Sequence, residues 1–208
     1  MSHPDTLGVI LGGGLARRMG GGDKARIRIG EASILERVLA RLRPQCARLI
    51  LNANTEAARF ADAGLPVVAD SVPDFPGPLA GILAGLDFAA AQMPEVEWIV
   101  SVPSDCPFLP HDLVPRLHQA RRDAGVQLTC AASGGRRHPV VALWPVALRE
   151  DLRRALIEER VRRVGEQSAR YALAIAEWPI EPLDPFFNVN TPEDVAEAER
   201  LAKLYPEA

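Results

Sequence analysis

The chain has 208 residues, 48% of them hydrophobic, and carries 24 basic against 27 acidic side chains for a formal charge of −3. That length suits one domain with a sizeable core, and that apolar share excludes wholesale disorder. With no basic excess and no apolar run long enough to span a bilayer, nucleic-acid binding and membrane insertion are not expected.

Met1–Asp5 has neither the charged nor the apolar region of a secretory leader, so a cytoplasmic chain is expected. Leu7–Leu11 then reads as a buried strand. It runs into a stretch with two triple-glycine clusters, Gly12–Gly14 and Gly20–Gly22, enclosing Arg17 and Arg18 and closed by Lys24. Glycine allows close backbone approach, exposed N–H groups cradle anions, and arginine and lysine pair with phosphate oxygens. The segment is not a dinucleotide fingerprint: G-x-G-x-x-G would need glycine where Arg17 or Ala25 stands. Nor is it a P-loop, because Lys24 follows Asp23 and precedes Ala25. A nucleoside triphosphate is the ligand this pattern suits.

Ser33 caps a helix over 34–43 that Pro44 stops. Arg48–Asn52 is the second strand, 56–63 a short helix ended by Gly64, and Pro66–Ala69 a third strand. After an ordered loop over 70–78, an alanine- and leucine-rich helix spans 79–92, and 97–102 is a central strand. An amphipathic helix covers 111–124, its apolar side carrying Leu113, Val114 and Leu117. Strands 127–132 and 140–144 follow, joined by a polar turn over 133–138 and paired antiparallel at one side of the sheet. Helices are expected over 147–157 and 161–166, a strand over 171–178, and a last helix capped by Thr191, opened by Pro192 and running to about Leu204.

Alternating strands and helices specify a three-layer α/β/α, Rossmann-like, mostly parallel sheet with an antiparallel edge. Ligands of such sheets sit beyond the carboxyl ends of the strands. The segment 12–24, Asn52, Asp70 and Asp105 all fall at such ends. Asp105, between Pro103 and Pro107 at a strand end, is read as the ligand of a hard cation such as Mg²⁺, the alternative being a carboxylate that caps the next helix or accepts from turn amides. Asp70 offers paired acceptors that fit guanine N1–H and N2–H₂ or a ribose hydroxyl, and as a turn residue it fits the surface. Asn52 alone reads as a strand-end turn residue. Asn188 and Asn190, two apart in an extended segment, point to one side, where they reach a metal-bound phosphate or an acceptor, or cap the helix that follows. His138 can meet an acceptor phosphate, whereas Arg136 and Arg137 suit a solvated turn. Cys46, Cys106 and Cys130 lack paired spacing, which argues against a disulfide frame or a zinc site. Cys106 has no histidine beside it in sequence to activate a thiolate.

The run Leu11-Gly12-Gly13, Arg18-Met19-Gly20, Asp23-Lys24 resembles the signature of the GT-A-like nucleotidyltransferases, and most of all the molybdenum cofactor guanylyltransferase family. Gly77–Ile82, Val102–Phe108, His138-Pro139-Val140 and Asn188–Asp194 agree in order and spacing, so the likeness runs from about residue 7 to about residue 200. Gly12 stands where the family usually has alanine, and Ala16 where it usually has serine. The resemblance implies a single nucleotidyltransferase domain over 1–208, with a nucleotide-binding N-terminal half and an acceptor-binding C-terminal half. It implies transfer of GMP from GTP to the terminal phosphate of Mo-molybdopterin, with Mg²⁺ as cofactor and Mn²⁺ as its substitute. Leu11, Gly12 and Gly13 would line the guanine and ribose side. Gly14 and Arg18 would face the triphosphate, Lys24 the phosphates near the reacting centre, and Asn52 and Asp70 match further nucleotide positions. Arg18, Lys24 and Asp105 would carry catalysis, with Asp105 on the metal and His138, Asn188 and Asn190 near the acceptor. Molybdoenzymes or their chaperones would receive the product. A CTP-dependent cytidylyltransferase, a sugar-phosphate nucleotidyltransferase and a non-catalytic nucleotide binder are the alternatives, and Gly13 favours guanine by resemblance.

Overall fold

The structure is a computed structural model that describes residues 3–12, 15–16, 22–23, 26–54, 60, 63–72 and 77–206. Strand β1 (Thr6–Leu11) is buried along its length. Leu7, Val9 and Leu11 enter one apolar cluster and Ile10 the other, as in a strand covered on both faces. Two small antiparallel pairs follow, β2 (Leu15–Ala16) with β3 (Gly22–Asp23) and β4 (Arg28–Ile29) with β5 (Ala32–Ser33). Helix α1 (Ile34–Leu42) opens on a reciprocal cap between Ser33 and Glu36, and a 3₁₀ turn through Pro44 ends it. Then come β6 (Arg48–Asn52), β7 (Val67–Val68), α2 (Pro78–Gln92), β8 (Trp98–Pro103) and α3 (Leu113–Ala124). The helix expected over 56–63 lies almost wholly outside the described residues.

The C-terminal half holds β9 (Leu128–Ser133), β10 (Arg136–Pro145), α4 (Arg149–Ile157), α5 (Val164–Ser168), β11 (Leu173–Trp178) and α6 (Pro192–Leu204). The last helix has the expected threonine cap, closed reciprocally by Asp194. Seven strands form one sheet in the order β11-β9-β10-β8-β1-β6-β7. Strands α-layered on both faces give the expected three layers: α1, α3 and α6 supply one apolar cluster, α2, α4 and α5 the other.

Three expectations need correction. The antiparallel element is not an edge: β10 lies inside the sheet between β8 and β9, and the rim strand β11 runs parallel to β9. The connection between β9 and β10 is also tighter than the polar turn over 133–138. Gly134 (φ 54°) and Gly135 (φ 76°) make the reversal alone, both in the left-handed region that a two-residue hairpin requires. Arg136, Arg137 and His138 are therefore strand residues, paired with Ser133, Ala132 and Ala131. Finally, the helix placed over 161–166 begins only at Val164.

Candidate active site

Strands β1, β6 and β8 end in step. Leu11 is level with Asn52 on one side and Pro103 on the other. Just beyond, the Gly12 N–H donates to the Asn52 carbonyl (2.8 Å) and the Ser104 N–H to the Leu11 carbonyl (3.2 Å). Gly12 thus stands between Asn52 and the Ser104–Asp105 turn, about 4.8 Å of strand spacing from each. This is the carboxyl rim at which open α/β sheets bind ligands.

On the β6 side, Asn52 is 5% exposed and is not a surface turn residue. Its Nδ2 donates to the Val68 carbonyl (3.1 Å) and to Asp70 Oδ1 (2.9 Å). Asn54 completes a clamp: its Nδ2 donates to Asp70 Oδ2 (2.6 Å), and its Oδ1 accepts from the Asp70 N–H (2.8 Å). Each carboxylate oxygen accepts one amide hydrogen and keeps a second lone pair for a ligand. The first turn of α2 packs on Asn52 through Gly81, where a Cβ would sit 2.1 Å from Asn52 Oδ1 and 2.7 Å from Leu11 Cδ2. Only glycine lets that helix come so close.

On the β8 side, Asp105 is half-buried, and its Oδ1 accepts from Asn188 Nδ2 (3.1 Å). The Val189 N–H binds the Asp105 carbonyl (2.9 Å). Asp105 does not cap the next helix, since α3 starts at Leu113 and its Val114 N–H donates to Gln45 Oε1 (2.9 Å). Cys106 beside it is 1% exposed, and burial with Asp105 and Asp184 pushes its thiol well above the ordinary range. It is a protonated core thiol that lies within hydrogen-bonding reach of Asn188 Oδ1 (3.4 Å).

The β9–β10 hairpin brings His138 to the same rim, because β9 ends there and the antiparallel β10 begins there. His138 Nε2 lies 2.8 Å from Ser133 Oγ, which donates to Asp184 Oδ1 (2.8 Å). Burial holds the imidazole below its ordinary value, with Asp184 and Glu177 pulling upward and Arg136 downward. Asn190 lies at the entry of α6, its N–H donating to Asp194 Oδ2 (2.8 Å).

Of the residues singled out in the sequence, Leu11, Gly12, Asn52, Asp70, Asp105, His138, Asn188 and Asn190 all lie at this rim or on the segment that abuts it. Gly13, Gly14, Arg18 and Lys24 lie outside the described residues. Sequence reasoning missed Asn54, Ser133 and Asp184, and it missed the contact that makes Gly81 necessary. Among the described residues no group of three or more His, Cys, Asp or Glu side chains could hold a metal. A single half-buried carboxylate such as Asp105 fits a hard cation that takes most of its oxygens from phosphates and water.

The sheet and its carboxyl rim define an α/β protein of the kind that binds ligands beyond its strand ends, and the profile of the MobA-like NTP transferase domain matches residues 8–171. A molybdenum cofactor guanylyltransferase from Rhodopseudomonas palustris is 62% identical over 96% of this chain and 95% of its own. The chain therefore belongs to the molybdenum cofactor guanylyltransferase family, and it is a nucleotidyltransferase. The fold alone is shared with molybdopterin-guanine dinucleotide biosynthesis protein A from Archaeoglobus fulgidus (22% identity, TM-score 0.74, covering 96% of this chain and 100% of that one). It is shared also with a Mycobacterium tuberculosis protein solved in complex with manganese (17% identity, TM-score 0.66, covering 96% and 100%).

Proposed function

We propose that this chain transfers GMP from GTP to the terminal phosphate of Mo-molybdopterin, with release of diphosphate. The near full-length kinship with the guanylyltransferases carries the reading, and the rim supplies residues suited to it. An acceptor phosphate oxygen forms a bond to the α-phosphorus of GTP, and the bond from that phosphorus to the bridging oxygen breaks. Positioning and charge neutralisation supply most of the acceleration.

Asp70, oriented by Asn52 and Asn54, accepts from guanine N1–H and N2–H₂ or from the ribose. Leu11, Gly12 and Gly13 line the nucleoside, Gly14 and Arg18 face the triphosphate, and Lys24 meets the phosphates near the reacting centre. Asp105 would hold a Mg²⁺, for which Mn²⁺ can stand in, and that cation supplies neutralisation of phosphate charge. Asn188 keeps the Asp105 carboxylate turned to the rim, and His138 and Asn190 lie on the acceptor side. We place the reaction in the cytoplasm, with molybdoenzymes or their chaperones receiving the product. No helix among the described residues is long and apolar enough to cross a membrane.

The test is diphosphate release from the purified chain with GTP, Mg²⁺ and Mo-molybdopterin. Release with GTP and not CTP is expected. Release with CTP alone would make it a cytidylyltransferase, and turnover of a sugar phosphate without the pterin would move it to another branch of the fold. GTP binding without product under every acceptor would make it a binding protein.

A further inference from the structure

The acceptor side and the Asp105 side of the rim meet at one residue outside the motifs. Asp184 Oδ1 accepts from Ser133 Oγ (2.8 Å) and from the Phe186 N–H (3.0 Å). Ser133 is 3% exposed, and its hydroxyl has one proton. Because a carboxylate has none to give, that proton lies toward Asp184. Ser133 Oγ can then only accept from His138, 2.8 Å away, so the imidazole proton is on Nε2 and the lone pair on Nδ1.

The second half of the link is a short strap. The Phe187 N–H donates to the Asp184 carbonyl (3.2 Å), closing a turn that buries Phe186. The Phe186 ring sits 4.7 Å from His138 and 5.4 Å, edge-on, from Trp178. Two residues later Asn188 reaches Asp105 with its Nδ2 (3.1 Å), while its Oδ1 lies 3.4 Å from the Cys106 thiol. The same thiol also lies 3.9 Å from the Phe186 carbonyl, so Cys106 touches the strap at both Phe186 and Asn188. The Val189 N–H pins the strap's far end to the Asp105 backbone.

We propose that Asp184 is a positioning residue joining the two halves of the site: through Ser133 it sets the tautomer of His138, and through the 184–188 strap it seats Asn188 on the Asp105 carboxylate. The inference rests on the reading of Asp105 as the cation carboxylate. Partners that orient a metal-binding carboxylate typically change metal affinity 10–100-fold when removed.

The experiment compares wild type, Asp184→Ala, Asp184→Asn and Ser133→Ala in the full chain. Mn²⁺ affinity in the presence of GTP is measured by electron paramagnetic resonance, and the His138 ring by ¹⁵N NMR with His138→Gln for assignment. In Asp184→Ala, Mn²⁺ affinity falls about tenfold and the Nε2–H signal is lost. Asp184→Asn stays within about twofold of wild type for Mn²⁺, because an amide oxygen accepts from the same two donors. Ser133→Ala loses the His138 tautomer preference while keeping Mn²⁺ affinity within about twofold, since the strap's own bonds remain. Wild-type Mn²⁺ affinity in Asp184→Ala, or an unchanged His138 signal in Ser133→Ala, overturns the inference. If Asp184→Ala does not fold, an Asp184→Asn variant as weak as a metal-site deletion, or that same unchanged signal, overturns it. A wild type with no GTP-dependent Mn²⁺ site overturns instead the reading of Asp105, and the His138 signals then still decide what Asp184 does.

Discussion

At the amino end of the sheet, Thr6, His118 and Arg121 form a closed chain. Arg121 Nε donates to His118 Nδ1 (3.0 Å), so His118 Nε2 donates to Thr6 Oγ1 (2.9 Å), which donates to the Pro4 carbonyl (2.8 Å). The Arg121 guanidinium lies 4.1 Å over the Trp98 ring, and Thr6 and His118 are both 0% exposed. At the carboxyl end, Asp70 and Asp105 are half-buried and held by asparagine amides, and each Asp70 oxygen accepts from one of them. Both ends use hydrogen-bonded polar side chains next to the same strands. One seals its polar groups to hold the fold together, and the other holds carboxylates at the rim proposed to receive the nucleotide.

Substitutions at the two ends should therefore separate activity from stability. The largest effect is expected from Asp105→Ala: turnover falls about 10³-fold while the melting temperature stays near wild type. A melting temperature lowered as severely as activity would put Asp105 in the structural class with His118. Gly81→Ala comes next. A methyl 2.1 Å from Asn52 Oδ1 forces that amide, and with it Asp70, out of place. GTP affinity by calorimetry should drop roughly tenfold, with about 1–3 kcal/mol lost from overpacking. Asn54→Ala should weaken GTP by a smaller factor, about threefold, because Asn52 still holds Oδ1.

The amino end predicts a pH effect instead. Burial pushes the His118 imidazole down to about 3, and Arg121, His3 and Arg122 add to the shift. The unfolded chain takes up a proton near pH 6.5 that the folded chain refuses. Stability contributed by the neutral ring is thus full above about 6.5 and is lost as pH falls toward about 3. Melting temperatures between pH 7 and pH 5 should decline in wild type and decline less in His118→Gln. His138, also held below its ordinary value, leaves a residual slope of the same sign.

What the sequence revealed and what it hid follow the range of the interactions. Helix starts were legible because their signals are local: Ser33 with Glu36 and Thr191 with Asp194 are three residues apart. The second strand, Arg48–Asn52, was legible because its apolar run is continuous. The position of β10 inside the sheet was not, because pairing order depends on contacts that periodicity does not encode. The rim residues were legible as strand-end positions and through family motifs. Their holders were not: Asn188 grips Asp105 across 83 residues, and Ser133 meets Asp184 across 51. Asp184 left one local trace, its contact with the Phe186 N–H two residues on, which is the mark of an Asx turn. The polar turn expected over 133–138 contracts to two residues because the glycine pair supplies all the positive φ the hairpin needs, and charged residues are free to continue the strand.

The central claim is that the first turn of the sheet receives a nucleotide whose cation Asp105 holds and whose nucleoside Asp70 reads. A crystal structure with GTP and Mn²⁺, phased to show the manganese by anomalous scattering, measures both at once. The account predicts a metal peak within about 2.5 Å of an Asp105 oxygen, with guanine or its ribose against the carboxylate of Asp70. A nucleotide bound away from the ends of β1, β6 and β8, or a metal peak with no contact to Asp105, would contradict it.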